Sequence, residues 1–193
     1  MNSREKILSR VKQNQPEAKA LPDIDHFHGN IETVIDRFRS VLVSIGGEVH
    51  MVNTMEEIQT IVGSKIPDKA RVVNLTDVDF FFGEEISEQT NPHSLENVYL
   101  AILRSPLGVA ENGAIWLTAK DTRVRALPFI CEHLAVILSK EKIVPTLHEA
   151  YDILEISDHD YGVFIAGPSK TADIEQSLVL GAHGSKSMTV FIM

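Results

Sequence analysis

The chain has 193 residues, 44% of them hydrophobic and 23% charged, with 18 Lys+Arg against 27 Asp+Glu for a formal charge of -9. That length fits one ordinary α/β domain, and the composition excludes disorder, collagen and coiled coil as global descriptions. The acidic balance argues against a nucleic-acid duplex or an anionic membrane surface as partner, because both need clustered basic residues. Cys131 is the single cysteine, so no internal disulfide and no four-thiolate cluster can come from this chain alone. Neither an apolar leader behind Met1 nor a run of about 18 apolar residues is visible, so a soluble, cytoplasmic protein without membrane insertion is expected.

In chain order, Ser3 can cap a helix carrying Ile7, Leu8 and Val11 and ending near Pro16. Residues 17–30 read as a linker, making residues 1–30 an N-terminal helix plus linker ahead of a domain over 31–193. The His26-x-His28 pair lacks nearby third and fourth ligands and reads as two loop histidines. From Ile31 a helical face follows through Val34, Ile35, Phe38, Val41 and Leu42, ended by Gly46-Gly47. Residues 48–52 form a strand, Thr54 and Glu57 a capping box, and 70–74 a second strand. The acidic stretch 77–92, with Phe80, Phe81 and Phe82, has no assignable element, and its aromatics read as packing residues.

The second half is better patterned. Residues 98–103, 115–118 and 134–138 read as strands, the last a continuous apolar run of the kind a parallel sheet buries on both faces. Pro145-Thr146-Leu147 opens a helix, 162–166 is a strand, a helix follows Gly167-Pro168-Ser169 to about Val179, and 188–192 closes the chain as a strand. Alternating strands and helices predict an α/β fold, a three-layer sandwich around a mainly parallel sheet.

Ligands on such sheets sit at turns beyond the strand ends. Gly167 permits a sharp turn, Ser169 and Thr171 are N-cap types, and Asp173 falls in the first turn of the expected helix. With Lys170, these residues would suit a carboxylate or phosphate, although a capped helix without ligand explains them equally. In the turn Glu111-Asn112-Gly113, Glu111 could act as base, nucleophile or hydrogen-bond acceptor, or simply connect two elements. His183, bracketed by Gly181 and Gly184, and His133, ahead of the run 134–138, are the candidate proton-handling histidines. No dinucleotide or P-loop fingerprint is present.

The block Gly167-Pro168-Ser169-Lys170-Thr171-Ala172-Asp173-Ile174-Glu175, followed by Gly181-Ala182-His183-Gly184, closely resembles the signature of the LUD domain family, of the lactate-utilization C type. Arg123 or Arg125 before Leu127-Pro128, His133, and the opening Ser3-Arg4-Glu5-Lys6-Ile7-Leu8 fit the same pattern. The likeness is strong from about Gly108 to Met193 and loose over 31–97. Lys170 stands where the family usually has arginine, Ser185 replaces a proline, and Glu111-Asn112-Gly113 replaces a Thr-Gly-Thr-like turn.

The resemblance implies a fold similar to the ribose-5-phosphate isomerase and CoA-transferase (NagB/RpiA-like) domains. It also implies a part in L-lactate oxidation as a subunit beside iron–sulfur partner proteins, with clusters on the partners and no cofactor held by this chain alone. In that reading Ser169, Lys170 and Thr171 hold a small carboxylate or the chain assists assembly, Arg123 joins the anion site, and Glu111, His133 and His183 are candidates for proton handling. A homo-oligomer is compatible with it. The alternative is a stand-alone CoA-transferase-like or isomerase-like enzyme. Its basis is that Glu111-Asn112-Gly113 also resembles the turn whose glutamate attacks a CoA thioester.

Overall fold

A computed structural model describes residues 2–20, 22–23, 28–76, 83–154, 160–172 and 178–193. Helix α1 spans Ser3–Gln13. Its cap is Asn2 rather than Ser3: the Asn2 side chain accepts from the Glu5 amide at 2.8 Å, and the Glu5 carboxylate accepts from the Asn2 amide at 2.9 Å. No residue of α1 is buried. Of the expected loop pair, His28 is exposed without regular structure, and His26 lies outside the described residues.

Helix α2, Val34–Ser44, buries Val34, Phe38 and Leu42, one residue per turn. It starts three residues later than expected, with 31–33 forming a turn and Ile31 exposed. Gly46, at φ 89°, donates to Val43 O, and Gly47 donates to Leu42 O, both at 2.9 Å. This Schellman ending satisfies the last carbonyls of α2 and turns the chain into strand β1, Glu48–Met51. Thr54 then caps α3, Met55–Gly63, by accepting from the Glu57 amide, while Glu57 reaches back to the amide of Asn53 rather than Thr54.

Next come β2 (Val72–Asn74) and β3 (Leu100–Ser105), then β4 (Leu107–Val109) and β5 (Ala114–Thr118). Two short helices follow, α4 (Ala119–Thr122) and α5 (Leu127–Ile130). The chain continues with β6 (His133–Leu138), β7 (Ile143–Val144), α6 (Leu147–Ile153) and β8 (Gly162–Ile165). It ends in β9 (Lys170–Ala172), β10 (Leu178–Leu180) and β11 (Ser187–Ile192).

Strands β1-β11-β6-β3-β2 form a five-stranded sheet in which every pairing is parallel. One face packs on α3 through Ile58, Val62, Ile102, Ile137 and Phe191. The other face meets α2, α5 and the inner side of a second sheet, β7-β4-β5-β8, through Phe38, Leu42, Ile115, Leu117, Leu127 and Val136. The outer side of the second sheet, with Leu107, Val109 and Trp116, packs on Ala150 of α6. The fold is the mixed α/β sandwich with a parallel central sheet that the sequence predicts.

The segment after Gly167 differs from expectation. Instead of a helix to Val179, Lys170–Ala172 and Leu178–Leu180 pair as an antiparallel hairpin, with residues 173–177, and so Asp173, outside the described residues. The reason is long-range: the Ser169 amide donates to Ser185 O at 2.9 Å and the Gly181 amide to Ser169 O at 3.1 Å. These bonds hold the backbone extended, and hydroxyl residues that cap helices are equally at home there. The aromatic run Phe80–Phe82 also lies outside the described residues.

Candidate functional site

The two glycine-rich turns singled out from the sequence meet at the C-terminal end of α2. Gly113, at φ 67°, lies against the helix backbone, where a Cβ would stand 3.0 Å from Leu42 N and Cα. Gly167, at φ 74°, approaches Ile45 as closely, its Cβ position being 3.1 Å from Ile45 Cγ1. A Cβ on Gly46 would lie 3.4 Å from Lys170 Nζ, so the exposed Lys170 ammonium sits at the carboxyl end of α2, where the helix dipole favours a cation. Gly184 packs on Ser169, its Cβ position 3.1 Å from Ser169 Cβ, while Thr171 is half-buried in the hairpin and His183 is exposed. Gly113, Gly167, Ser169, Lys170 and Gly184 are thereby brought together around one helix end.

Glu111 and Asn112 belong to the same turn but serve local structure. The Asn112 side chain accepts from the Ala114 amide at 3.0 Å, closing the turn. The Glu111 carboxylate accepts from the Leu147 amide at 2.8 Å, at the first residue of α6.

His133 stands at the amino edge of the parallel sheet, and the hairpin leads to it. Two residues beyond Ser185, which holds Ser169, the Ser187 hydroxyl shares a 2.7 Å hydrogen bond with His133 Nδ1. Between them Lys186 pairs with Glu132 at 2.7 Å. The ring of Tyr99 lies against His133 with centroids 4.6 Å apart. His133, Ser187 and Tyr99 border a cavity of about 170 Å³ between the C-terminal end of α3 and the sheet, with Lys65, Glu48 and Thr189 at its polar side. Burial lowers the His133 pKa, opposed by the neighbouring Glu132 carboxylate. Lys65 holds both Glu48 oxygens, at 2.6 and 2.7 Å, and thereby keeps that carboxyl below its ordinary value against the effect of burial. Sequence reading missed Glu48, Lys65, Tyr99 and Ser187, which share no motif and meet only where the end of α3 packs on the sheet.

Arg123 stands apart, at the opposite, carboxyl edge of the parallel sheet, and Arg125 covers the ring of Tyr161 at 5.0 Å from its centroid. Among the described residues no group of three or more His, Cys, Asp and Glu is placed to hold a metal ion, and no helix is long and apolar enough to cross a membrane. Cys131 is buried in the core, and desolvation pushes its thiol up to about 12.

The LUD domain family profile matches residues 82–193. A protein from Bacillus pumilus named "Lactate utilization protein C" is 34% identical over 106 residues, covering 52% of this chain and 44% of that protein. One of the same name from Geobacillus kaustophilus is 31% identical over 100 residues, covering 49% of this chain and 42% of that protein. The chain thus matches less than half the length of these two relatives. A crystal structure of a DUF162 family protein from Deinococcus radiodurans superposes with a TM-score of 0.63 at 13% identity, covering 84% of this chain and 98% of that one, a likeness of fold. With more than half its length matching the family profile, and the matched residues supplying the second sheet and three of the five parallel strands, the chain belongs to the LUD domain family.

Proposed function

We propose that the chain serves lactate utilization as a subunit of an iron–sulfur-dependent L-lactate-oxidising system in the cytoplasm, with the clusters on partner proteins. The observation that carries this is the family match together with the name borne by the relatives. The buried Cys131, with its raised thiol pKa, supports cluster ligation by other chains, since a cluster binds thiolate.

Between holding a small carboxylate and assisting assembly, the geometry favours assembly. The Ser169 amide already donates to Ser185 O within the fold, so it is not free to join the expected anion cradle. The hairpin it builds instead turns Val179 and Leu180 outward, 42% and 50% exposed, alongside exposed Lys170 and His183. An exposed apolar pair framed by polar groups suits a protein contact.

The test is affinity purification of the tagged chain from its native host grown on lactate. Cysteine-rich iron–sulfur proteins should co-purify with the wild type, and the Leu180→Asp variant should lose them while melting normally. A clean, partnerless chain, or normal growth on lactate after deletion of the gene, would overturn the reading.

A further inference from the structure

The carboxyl edge of the parallel sheet carries an open cleft of about 420 Å³, lined by Arg104, Lys120, Arg123 and Lys142 together with Ser105 and Ser139. Strands β3 and β6 both leave the parallel sheet here, β3 through Ser105 into β4 and β6 through Ser139 into β7. Such a crevice beyond the strand ends is where open α/β sheets take ligands. Its volume lies in the range of small-molecule sites.

The charge of the cleft is the reverse of the chain's. A protein of net charge -9 places four of its 18 Lys+Arg around one opening. Four cations elsewhere pair with carboxylates, Arg39 with Asp36, Lys65 with Glu48, Arg71 with Glu84 and Lys186 with Glu132, whereas the cleft gathers four at one place. Among the described residues none of the four cleft cations makes an ion pair or side-chain hydrogen bond. Among the described residues the one carboxylate in the lining, Asp121, is already engaged, its Oδ2 accepting from the Thr118 amide at 2.8 Å and the Thr118 hydroxyl at 2.6 Å. The four cations repel one another, and an anion in the cleft relieves that repulsion.

Backbone geometry adds to the case. Arg123 adopts φ 56° and ψ -52°, and the amide of Val124 donates to the carbonyl of Thr122, two residues back, at 2.5 Å. This is a γ-turn of the strained hand, uncommon for a residue with a side chain. The neighbours Thr122 and Val124 are both buried and fix the turn, and the guanidinium stands at the cleft.

We infer that this cleft binds a small phosphorylated molecule, Arg104 and Arg123 engaging phosphoryl oxygens through their planar donor forks and Lys120 and Lys142 supplying point charge. Two guanidinium forks match tetrahedral oxyanions, and four positive charges exceed what a monocarboxylate neutralises. The site is separate from the hairpin and from the His133 cavity, and does not depend on a role in lactate utilization.

The test is isothermal titration of the purified full chain at low salt with inorganic pyrophosphate, with L-lactate and citrate as comparators. Pyrophosphate should bind saturably, with affinity falling as salt rises. Arg123→Gly, which suits the positive φ, and Arg104→Gln should each weaken binding roughly tenfold or more. Lys12→Gln, on the exposed helix α1 and outside the cleft, should leave it unchanged, and matching thermal melts of the variants establish that each is folded. No saturable heat with pyrophosphate, binding undiminished in both arginine variants, or citrate or lactate binding as tightly would overturn the proposal.

Discussion

His133 Nδ1 and the Ser187 hydroxyl lie 2.7 Å apart at the entrances of two adjacent parallel strands, paired in register as Ser187 opposite His133. That contact joins the segment continuing from Gly184 to the strand that carries most of the buried apolar run. It also fixes the ring over a cavity and removes part of its hydration. The consequence is a histidine that favours its neutral form in the folded protein, because burial outweighs the attraction of Glu132 for the cation.

Stability should therefore fall as pH drops below His133's ordinary value of 6.5, since the unfolded chain takes up the proton first and the folded chain only at a lower pH. Above 6.5 both states are neutral at this site and it contributes no slope. Urea midpoints measured from about pH 7.5 down to about 5.5 isolate this window. The lowered carboxyl of Glu48 acts below its own ordinary value of 4.5. His133→Gln keeps a hydrogen-bonding partner for Ser187 and should flatten the profile. Equal slopes in wild type and variant would remove His133 as the cause.

What was legible in the sequence follows from whether the deciding contacts are local. The 34/38/42 spacing of α2, its Gly46-Gly47 ending and the continuous apolar run of β6 depend on near neighbours, and each was readable. Strand β4 was not, being three residues long with Gly108 in its centre, a glycine required because a Cβ would come within 2.6 Å of Leu138. The β9–β10 hairpin was misread as helix because its determinant, Ser185 accepting from Ser169, lies 16 positions downstream of the residues that suggested a cap. The candidate site fared similarly: Gly113, Gly167, Lys170 and Gly184 were singled out from two separate turns, but only the fold shows that they gather at the end of α2. The basic cleft left no linear trace, its cations being spread from position 104 to 142.

Glu111 supports the start of α6 through the Leu147 amide. Glu111→Ala should therefore cost about 1 kcal/mol, as losing a helix cap does, which lowers the melting temperature by about 2–4 °C in a protein of this size. Glu111→Gln retains an acceptor oxygen and should melt close to wild type. If the two variants lose stability equally, the carboxylate charge rather than the hydrogen bond is what matters there.

Gly113→Ala tests the contact between the Asn-Gly turn and α2. The new Cβ would stand 3.0 Å from Leu42 N and Cα, backbone atoms that cannot rotate away, and the residue would keep φ 67°. Both effects oppose alanine, so the loss should exceed about 1 kcal/mol. Chemical denaturation measures it directly. A variant as stable as wild type would mean that the turn and the helix end are not in contact in solution.

Cys131 provides a probe of whether the core opens. Its side chain is 2% exposed, and desolvation raises the thiol to about 12 despite the backbone amides that favour thiolate. Only about one thiol in ten thousand would then be ionised at about pH 8, and that fraction is shielded from solvent. A disulfide reagent such as DTNB should leave the native protein unlabelled over minutes and react stoichiometrically once urea unfolds it. Between those limits the labelling rate should follow the population of opened molecules, rising with urea in step with the unfolding transition. Rapid stoichiometric labelling of the folded chain would show that the region between α5 and β6 opens readily, and would return Cys131 to the set of residues able to meet a metal cluster.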